Sequence, residues 1–484
     1  MRSLTGSAEA AHEVFGGAEL GDKRRTRALV ELTAEFMKRP AGRLSQIFRA
    51  GAWRERAYRF VENAAVQLTA VLQAMTRAAA ARVALCRMVY VVVDGSSLTL
   101  SDPSGRKNFG RIGNRRSHSR GIKVITALPV ELNGVPVGIP LAQRYWARRD
   151  RVRRGSTSSD NRRRAVWEKE TQHWLDVIRE AAAHVARSKL HFVIDREGDS
   201  RTFLLELAEL GVRFTVRSCW NRLLALSPNG KRMYLRGAMA VAPLLARYEV
   251  DVPEGPRRTA RMARMELRAS RVPLLLKDRW NGTASALEVN VVWAREVGTT
   301  PAREKPLDWM LLTNTPIATC EDAFAVVRGY QMRWRVEDFH KTWKSSHCKV
   351  EASQLHTFHA ATLFAAMHAT VAARAERLKH LSRNSPDEPA SIELSPDECT
   401  AIAVFAYEHA NVPLAPGGRR QHKLIVPDPE AMTIGEAVKW IALQGGYTGR
   451  ASSGGPPGAI VIGRGLEDVE TAAKIIAALA RMQK

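Results

Sequence analysis

An unbroken apolar run, Met88-Val89-Tyr90-Val91-Val92-Val93, leads straight into Asp94. A strand with one wet face alternates polar and apolar residues, so this run marks a strand covered on both faces. Strands of that kind belong to sheets whose crossover helices pack on either side. The sequence beyond supplies such helices. Helical periodicity spans Ala165 to Arg187, a strand follows from His191 to Ile194, then a helix from Thr202 to Leu210 and a strand from Arg213 to Val216. The expected fold class is therefore α/β. Val124 to Leu132 and Val135 to Trp146, joined by Asn133-Gly134, read as two strands of a hairpin.

At about 150 residues per domain, a chain of this length divides into roughly three parts. Residues 8 to 65 read as a small helical module, with one helix from Leu20 to Met37, a break at Pro40 and a second helix from Trp53 to Val61. Basic residues cluster there at Lys23, Arg24, Arg25 and Arg27, and again at Arg54, Arg56 and Arg59. An amphipathic helix follows from Gln67 to Arg82. The segment Arg144 to Arg164 holds nine arginines against two aspartates around Gly155-Ser156-Thr157-Ser158-Ser159, the composition of a mobile loop.

From Ser218 to Lys305 helical periodicity fades, and short alternating segments (Arg247 to Val252, Arg264 to Ser270, Ala286 to Trp293) indicate a β-rich insertion. The α/β pattern resumes at Asp308 to Thr313. Helix is expected from Cys320 to Ser345 and from Leu355 to Leu381, with Ser382 to Pro396 a linker or exposed loop. Three further helical stretches surround Gly454-Gly455-Pro456-Pro457-Gly458. The expected divisions are 1–65, 66–217, 218–305, 306–381 and 382–484.

Charge narrows the function. Lysine and arginine total 74 against 49 acids, a net charge of +25. Such an excess calls for a polyanionic partner, of which nucleic acid is the commonest. A hydrophobic fraction of 45% excludes a disordered basic tail. No apolar run approaches the ~18 residues of a spanning helix, and Met1-Arg2-Ser3-Leu4 opens no apolar leader. The expectation is a cytoplasmic protein with no membrane partner. The five cysteines, Cys86, Cys219, Cys320, Cys348 and Cys399, are too scattered for a disulfide framework or a cysteine zinc site.

Three carboxylates stand out. Asp94 and Asp195 each end a predicted strand, where α/β sheets commonly line their active crevice. Plain structural roles fit them too, as a cap on the turn before Gly95 and a partner for Arg196. On one continuous helix, Tyr330, Arg333, Glu337 and Lys344 fall within about 60° of each other at ~100° per residue. Met332, Val336, Phe339 and Trp343 form the opposite, core-facing stripe. A solvated face with an Arg333–Glu337 pair is the simpler account. Converging carboxylates in a basic protein suit hard divalent cations working on a phosphodiester, two ions sharing the attacking and leaving oxygens.

Longer motifs surround these residues. They are Val91-Val92-Val93-Asp94-Gly95-Ser96-Ser97, then Val193-Ile194-Asp195-Arg196-Glu197-Gly198-Asp199, then the block Tyr330 to Lys344 with its Tyr-(2)-Arg-(3)-Glu-(6)-Lys spacing. With Leu20-Gly21-Asp22-Lys23-Arg24-Arg25, Ala57-Tyr58-Arg59-Phe60, Pro306 to Thr313 and Leu394 to Cys399, the chain resembles the bacterial DDE transposases of the insertion-sequence-four group. The resemblance implies a ribonuclease-H-like core interrupted by a β-insertion, a helical N-terminal domain that binds transposon ends, and a helical C-terminal dimerisation region.

It further implies Asp94, Asp195 and Glu337 as the metal-binding catalytic triad. Two Mg²⁺ ions would serve each site, with Mn²⁺ as a substitute. Tyr330, Arg333 and Lys344 would hold phosphates, Trp309 and Arg217 would manage a flipped base, and Arg24, Arg25, Arg27 and Arg59 would help to bind DNA ends. An indole in a strand is otherwise most often core. The implied partners are double-stranded DNA, as terminal inverted repeats and target, and a second copy in a synaptic homodimer, in the bacterial cytoplasm at the nucleoid. The segment Ile462-Gly463-Arg464-Gly465-Leu466 departs from the group's Trp-rich pattern. The alternatives are a nuclease without strand transfer and a DNA-binding descendant without catalysis.

Overall fold

The structure, a computed structural model, describes residues 6–113, 119–148, 170–225, 232–252, 254–255, 258–278, 282–411, 426–449 and 455–482. Most of the arginine-rich segment 144–164 and part of the Gly/Pro-rich segment 454–458 lie outside these residues. The chain forms two compact units. One, the sheet unit, comprises Cys86–Asp94 and Thr157–Trp334; the other, the helical unit, comprises Met1–Leu85, Gly95–Ser156 and Arg335–Lys484.

In the sheet unit the start of β1 (Val89–Thr99) lies parallel to β5 (Leu190–Ile194), which lies parallel to β6 (Arg213–Arg217). Every residue of β5 is buried, as the apolar run requires. The crossover from β5 to β6 is the helix Arg201–Glu209, capped by Ser200, whose hydroxyl accepts from the Phe203 N–H. The sheet continues antiparallel through β10 (Asp308–Thr313), β9 (Ala284–Glu296), β8 (Arg261–Lys277) and β7 (Leu244–Val252). This is a mixed α/β fold with a large mixed sheet.

The one histidine of β5, His191, is kept neutral. Burial drives its pKa down to about 3, and its Nε2 lies 2.8 Å from the Thr215 hydroxyl. Close packing fixes the helix Cys320–Gln331 nearby. A Cβ on Gly329 would meet the Tyr90 ring at 2.6 Å, so only glycine fits that contact.

The helical unit contains β2 (Gly110–Arg111), β3 (Arg120–Glu131) and β4 (Ala142–Trp146), and it is built around the helix Phe358–Asn384. That helix is buried on all faces from Ala360 to Leu381, because alanine-rich turns allow other helices to approach closely. Phe36, from the helix Lys23–Lys38, packs edge-on against Phe364 at 5.5 Å. The buried cations of this helix are paired. Arg374 lies 3.2 Å from Glu470 and 3.6 Å from Glu398, while Arg377 pairs with Glu393 and, at 2.8 Å, with Glu131. The Ser7 hydroxyl also donates to Glu470.

Several expectations need correction. The helix expected from Cys320 to Ser345 is two helices, Cys320–Gln331 and Trp334–Lys344. At the break the Met332 N–H turns back to Gly329 and Tyr330 carbonyls, tightening the last turn. The single polar stripe therefore does not exist. Tyr330 is buried on the first helix, and only Val336, Phe339 and Trp343 keep the expected inward face. Asp94 does not terminate its strand, because β1 runs on to Thr99 with short polar side chains after the apolar run. The second hairpin strand starts at Ala142 rather than Val135, since Gly138 takes a φ of 93° and Pro140 follows it. Residues 382–396 are not an exposed loop, for Ala390, Glu393 and Leu394 are buried there.

Candidate active site

Register alone brings two of the carboxylates together. Val93 of β1 pairs with Ile194 of β5 in parallel, and the next residue on each strand is Asp94 and Asp195. Neighbouring strands are about 4.8 Å apart, so these carboxylates are adjacent, and both are half-buried. Asp195 also caps the short turn Arg196–Gly198, where one of its oxygens accepts from the Glu197 N–H at 2.7 Å. Gly198 allows that turn to fold back tightly, because a Cβ there would meet Ile194 Cγ2 at 2.6 Å. The turn thus holds the Asp195 side chain at the strand tip.

A cluster of aromatic and cationic groups belongs to the same unit. Arg217 ends β6 opposite Leu311 and donates to the Asp308 carbonyl at 3.0 Å. Its positive charge also acts on the Tyr330 phenol. Trp309 meets Tyr330 edge to face, with ring centroids 5.7 Å apart. Burial raises the Tyr330 pKa against the pull of Arg217 and Arg333, and the nearby Asp195 adds to the rise. The phenol therefore keeps its proton and remains a donor at neutral pH. Arg333 lies 5.0 Å over the ring of Trp334, a half-exposed residue the motif reading passed over.

Glu337 and Lys344 belong to the helical unit. Glu337 is half-buried in the first turn of Trp334–Lys344. Lys344 Nζ lies 3.3 Å from the Ser96 hydroxyl and 3.7 Å from Glu351, which in turn accepts from the Thr99 N–H. Trp343 anchors this helix by donating its indole N–H to the Ala365 carbonyl at 2.9 Å.

Of the N-terminal cations, Arg24, Arg27 and Arg59 are exposed. Arg25 is half-buried and donates to the Leu20 carbonyl at 3.0 Å, and Arg59 lies 3.4 Å from Glu55. Arg56 is committed locally, pairing with Glu31 and lying 4.9 Å over Trp53.

Asp338, Glu376 and His380, also in the helical unit, place possible metal-ligand atoms within 4.8 Å of one another. Lys379 already fills that space with an ammonium, 3.1 Å from Asp338 and paired with Glu376. Burial alone would raise the Asp338 carboxyl, but His380 and Lys379 hold it well below its usual range. We read this group as an ion-pair network.

Two residues of the quoted motifs gain a role only from the fold. Asp199, four positions past Asp195, is buried and accepts from the Ser218 hydroxyl, the Cys219 and Trp220 N–H groups, and Arg222. Asp308 accepts from the Trp293 indole at 2.7 Å and pairs with Arg236 at 2.9 Å. Asp199 closes the motif Val193 to Asp199 and Asp308 lies within Pro306 to Thr313, but neither motif indicates the partners these carboxylates take.

Adjacent carboxylates just past the paired parallel residues Val93 and Ile194, in a unit that also holds the half-buried Arg217 and Arg333 of a strongly basic chain, define the class of an α/β protein suited to phosphodiesters. The chain belongs to the DDE transposases: residues 91–373 match the transposase DDE domain family, and residues 7–66 match the transposase DNA-binding family. The first match spans Asp94, Asp195, Trp309, Tyr330, Glu337 and Lys344, and the second spans Arg24, Arg25, Arg27 and Arg59. Among the described residues, no helix is long and apolar enough to cross a membrane.

Proposed function

We propose that this protein is a cut-and-paste transposase of the insertion-sequence-four group, related to the transposase of transposon five. The observation that carries the reading is the Val93–Ile194 register, which makes Asp94 and Asp195 neighbours inside a DDE-family sequence. Asp94, Asp195 and Glu337 form the proposed triad on a ribonuclease-H-like core. All three offer half-buried oxygen ligands without sulfur or imidazole, a donor set that fits Mg²⁺, with Mn²⁺ as a substitute. Two such ions, when bound, would activate the attacking oxygen and stabilise the leaving one.

In the proposed sequence, water attacks the phosphorus at the transposon end and the bridging 3′ oxygen leaves as a free hydroxyl. That 3′-OH attacks the phosphodiester of the opposite strand, closing a hairpin and releasing the flanking 3′ oxygen as a hydroxyl; a second water opens the hairpin and regenerates the 3′-OH, which then attacks a target phosphodiester and displaces its 3′ oxygen as a hydroxyl. No protein–DNA bond forms. Tyr330, Arg333 and Lys344 hold phosphates, and Trp309 with Arg217 receives a flipped base. Residues 1–65 bind the ends and 218–305 form the insertion between the core segments 66–217 and 306–381. Residues 382–484 dimerise the protein in a synaptic complex at the bacterial nucleoid. Incubating pre-cut ends with a target plasmid tests the reading. Joined products are expected, whereas cleavage without joining would mark a nuclease and neither activity a DNA-binding descendant.

Two further expectations follow from these roles. Reversing Arg24, Arg27 and Arg59 to glutamate should weaken end binding and flatten its salt dependence, by about 0.9 in log–log slope per lost phosphate contact. Charge reversal is preferred to truncation because Phe36 is part of the core around Phe364. Titrations on labelled duplex between low and high salt would read this, and an unchanged slope would place the contacts elsewhere.

Trp309→Ala should spare the first nick, which needs no extruded base, and slow the hairpin step roughly tenfold, the size of one lost base–aromatic stack. A time course resolving nicked, hairpin and cleaved ends separates the steps. Equal slowing of all of them would make Trp309 a core residue.

A further inference from the structure

The ladder between β5 and β6 ends at the pair Ile194–Val216, so no ladder pair joins Asp195 to Arg217, the next residue on each strand. Past this point one side chain joins the two segments. Asp199, whose carboxylate is fully buried, reaches across from the end of the turn after β5. Its Oδ2 accepts from the Ser218 hydroxyl at 3.1 Å, the Cys219 N–H at 2.8 Å and the Trp220 N–H at 3.2 Å. Its Oδ1 accepts two bonds from Arg222, at 3.0 and 2.6 Å. These donors follow Arg217 closely in the chain, and the Ser218 N–H is itself fixed to the Met310 carbonyl of β10 at 2.7 Å.

The same short turn holds Asp195. The Asp199 N–H donates to the Arg196 carbonyl at 3.2 Å and the Gly198 N–H to the Asp195 carbonyl at 3.1 Å, while the Glu197 N–H fixes an Asp195 side-chain oxygen at 2.7 Å. Arg222 adds a bond to the Asp199 carbonyl at 2.7 Å, so both the backbone and the side chain of Asp199 are anchored to the segment after β6. Only three residues separate the two aspartates, and a displacement at Asp199 passes directly to Asp195. A buried charge is a costly way to close a turn, for which a neutral serine or asparagine would serve. What the charge adds is stiffness, because charge-assisted bonds are about twice as strong as neutral ones.

We propose that Asp199 is a positioning residue for the phosphodiester chemistry, taking over where the β5–β6 ladder stops and fixing the Asp195 carboxylate beside Asp94. The role in cleavage rests on the reading of Asp195 as a member of the triad; the mechanical coupling of Asp199 to Asp195 does not. Asp199 acts through Asp195 alone and touches neither DNA nor a reacting oxygen.

Hydrogen exchange of the full chain, without DNA or divalent ions, reads the coupling. Asp199→Asn keeps one oxygen for the Cys219 and Trp220 amides and turns an amide N–H group toward Arg222, donor against donor. Exchange should rise about tenfold, the effect of one weakened bond to a charged group, at Cys219 and Trp220. It should rise at Glu197 too, whose bond goes to Asp195 and not to Asp199. Asn221→Ala, which removes the side-chain acceptor of the Arg236 N–H, should leave Glu197 as in the parent.

Cleavage of transposon ends in Mg²⁺ at saturating protein should slow about 10–100-fold in Asp199→Asn, the range for losing a group that orients a metal-ligating side chain. End binding should be unchanged at a temperature where melting curves show both proteins folded. If Asp199→Asn does not fold, adding Arg222→Gln gives the new amide an acceptor while the bonds stay neutral, and Glu197 should again exchange faster than in the parent. Faster exchange confined to Cys219 and Trp220 would overturn the inference, as would cleavage at the parent rate or a loss of cleavage matched by an equal loss of end binding. Near-normal cleavage by Asp195→Asn would instead overturn the triad reading, and the role of Asp199 in cleavage with it, whatever the exchange shows.

Discussion

Asp94→Asn, Asp195→Asn and Glu337→Gln should each cut cleavage of transposon ends in Mg²⁺ by at least about a hundredfold, the loss expected when a reacting phosphate is misplaced by an ångström. Each substitution keeps the shape of the side chain and removes its charge, so folding and end binding should stay near normal. The aspartates should be the more sensitive pair, because their register makes them neighbours and Asp195 is pinned by the Glu197 N–H. Cleavage is measured on labelled duplexes carrying the inverted repeats that flank the gene. Near-normal cleavage by any one variant, with binding intact, removes that residue from the triad.

The largest effect on stability should come from Arg374→Ala, at about 3–5 kcal/mol, because breaking a buried ion pair strands the opposite charge. Glu470 and Glu398 would both lose their guanidinium. The cost should shrink toward acid pH, where the stranded carboxyls can take up protons. In the parent protein burial raises Glu470 to about 7 against the pull of Arg374.

The sign of the pH dependence follows. A raised carboxyl stabilises the fold fully below its ordinary value of 4.5, and that contribution is lost as pH climbs through about 7. Glu470→Gln should remove this slope. Urea midpoints of parent, Arg374→Ala and Glu470→Gln across that window are the measurement; a pH-independent penalty for Arg374→Ala would show that packing, not charge, is lost.

Where local pattern and tertiary packing agreed, the sequence could be read closely. The strand expected at Asp308 to Thr313 is found at those residues, and that at His191 to Ile194 gains only Leu190. Such strands are buried on both faces, so their apolar runs have sharp ends. Reading failed where an interaction lay outside the window. Periodicity cannot register a tightened turn, so the break at Met332 was invisible and Tyr330 was placed on the face of Glu337. A polar, proline-containing stretch looks exposed until Glu393 is seen paired with Arg377. Within the candidate site, the motifs supplied the residues proposed above, but their supports were not legible. Asp199 and Asp308 act on partners far along the chain, and that kind of dependence leaves no periodic trace.

The Ser7–Glu470 hydrogen bond joins residues 463 positions apart, with Arg374 bonded to both. On the ribosome, Arg374 is made 96 residues before Glu470. At ~5–20 residues per second this leaves a wait of roughly 5–20 s. During it the central helix lacks the part of its coat that Glu470 brings, and Arg374 has only Glu398 of its two paired carboxylates. The contact that ties Ser7, Arg374 and Glu470 together is thus expected to form late, after most of the chain has been made. Nascent chains stalled just before and just after residue 470 should differ sharply in protease resistance; equal resistance would mean that the helix finds its cover earlier.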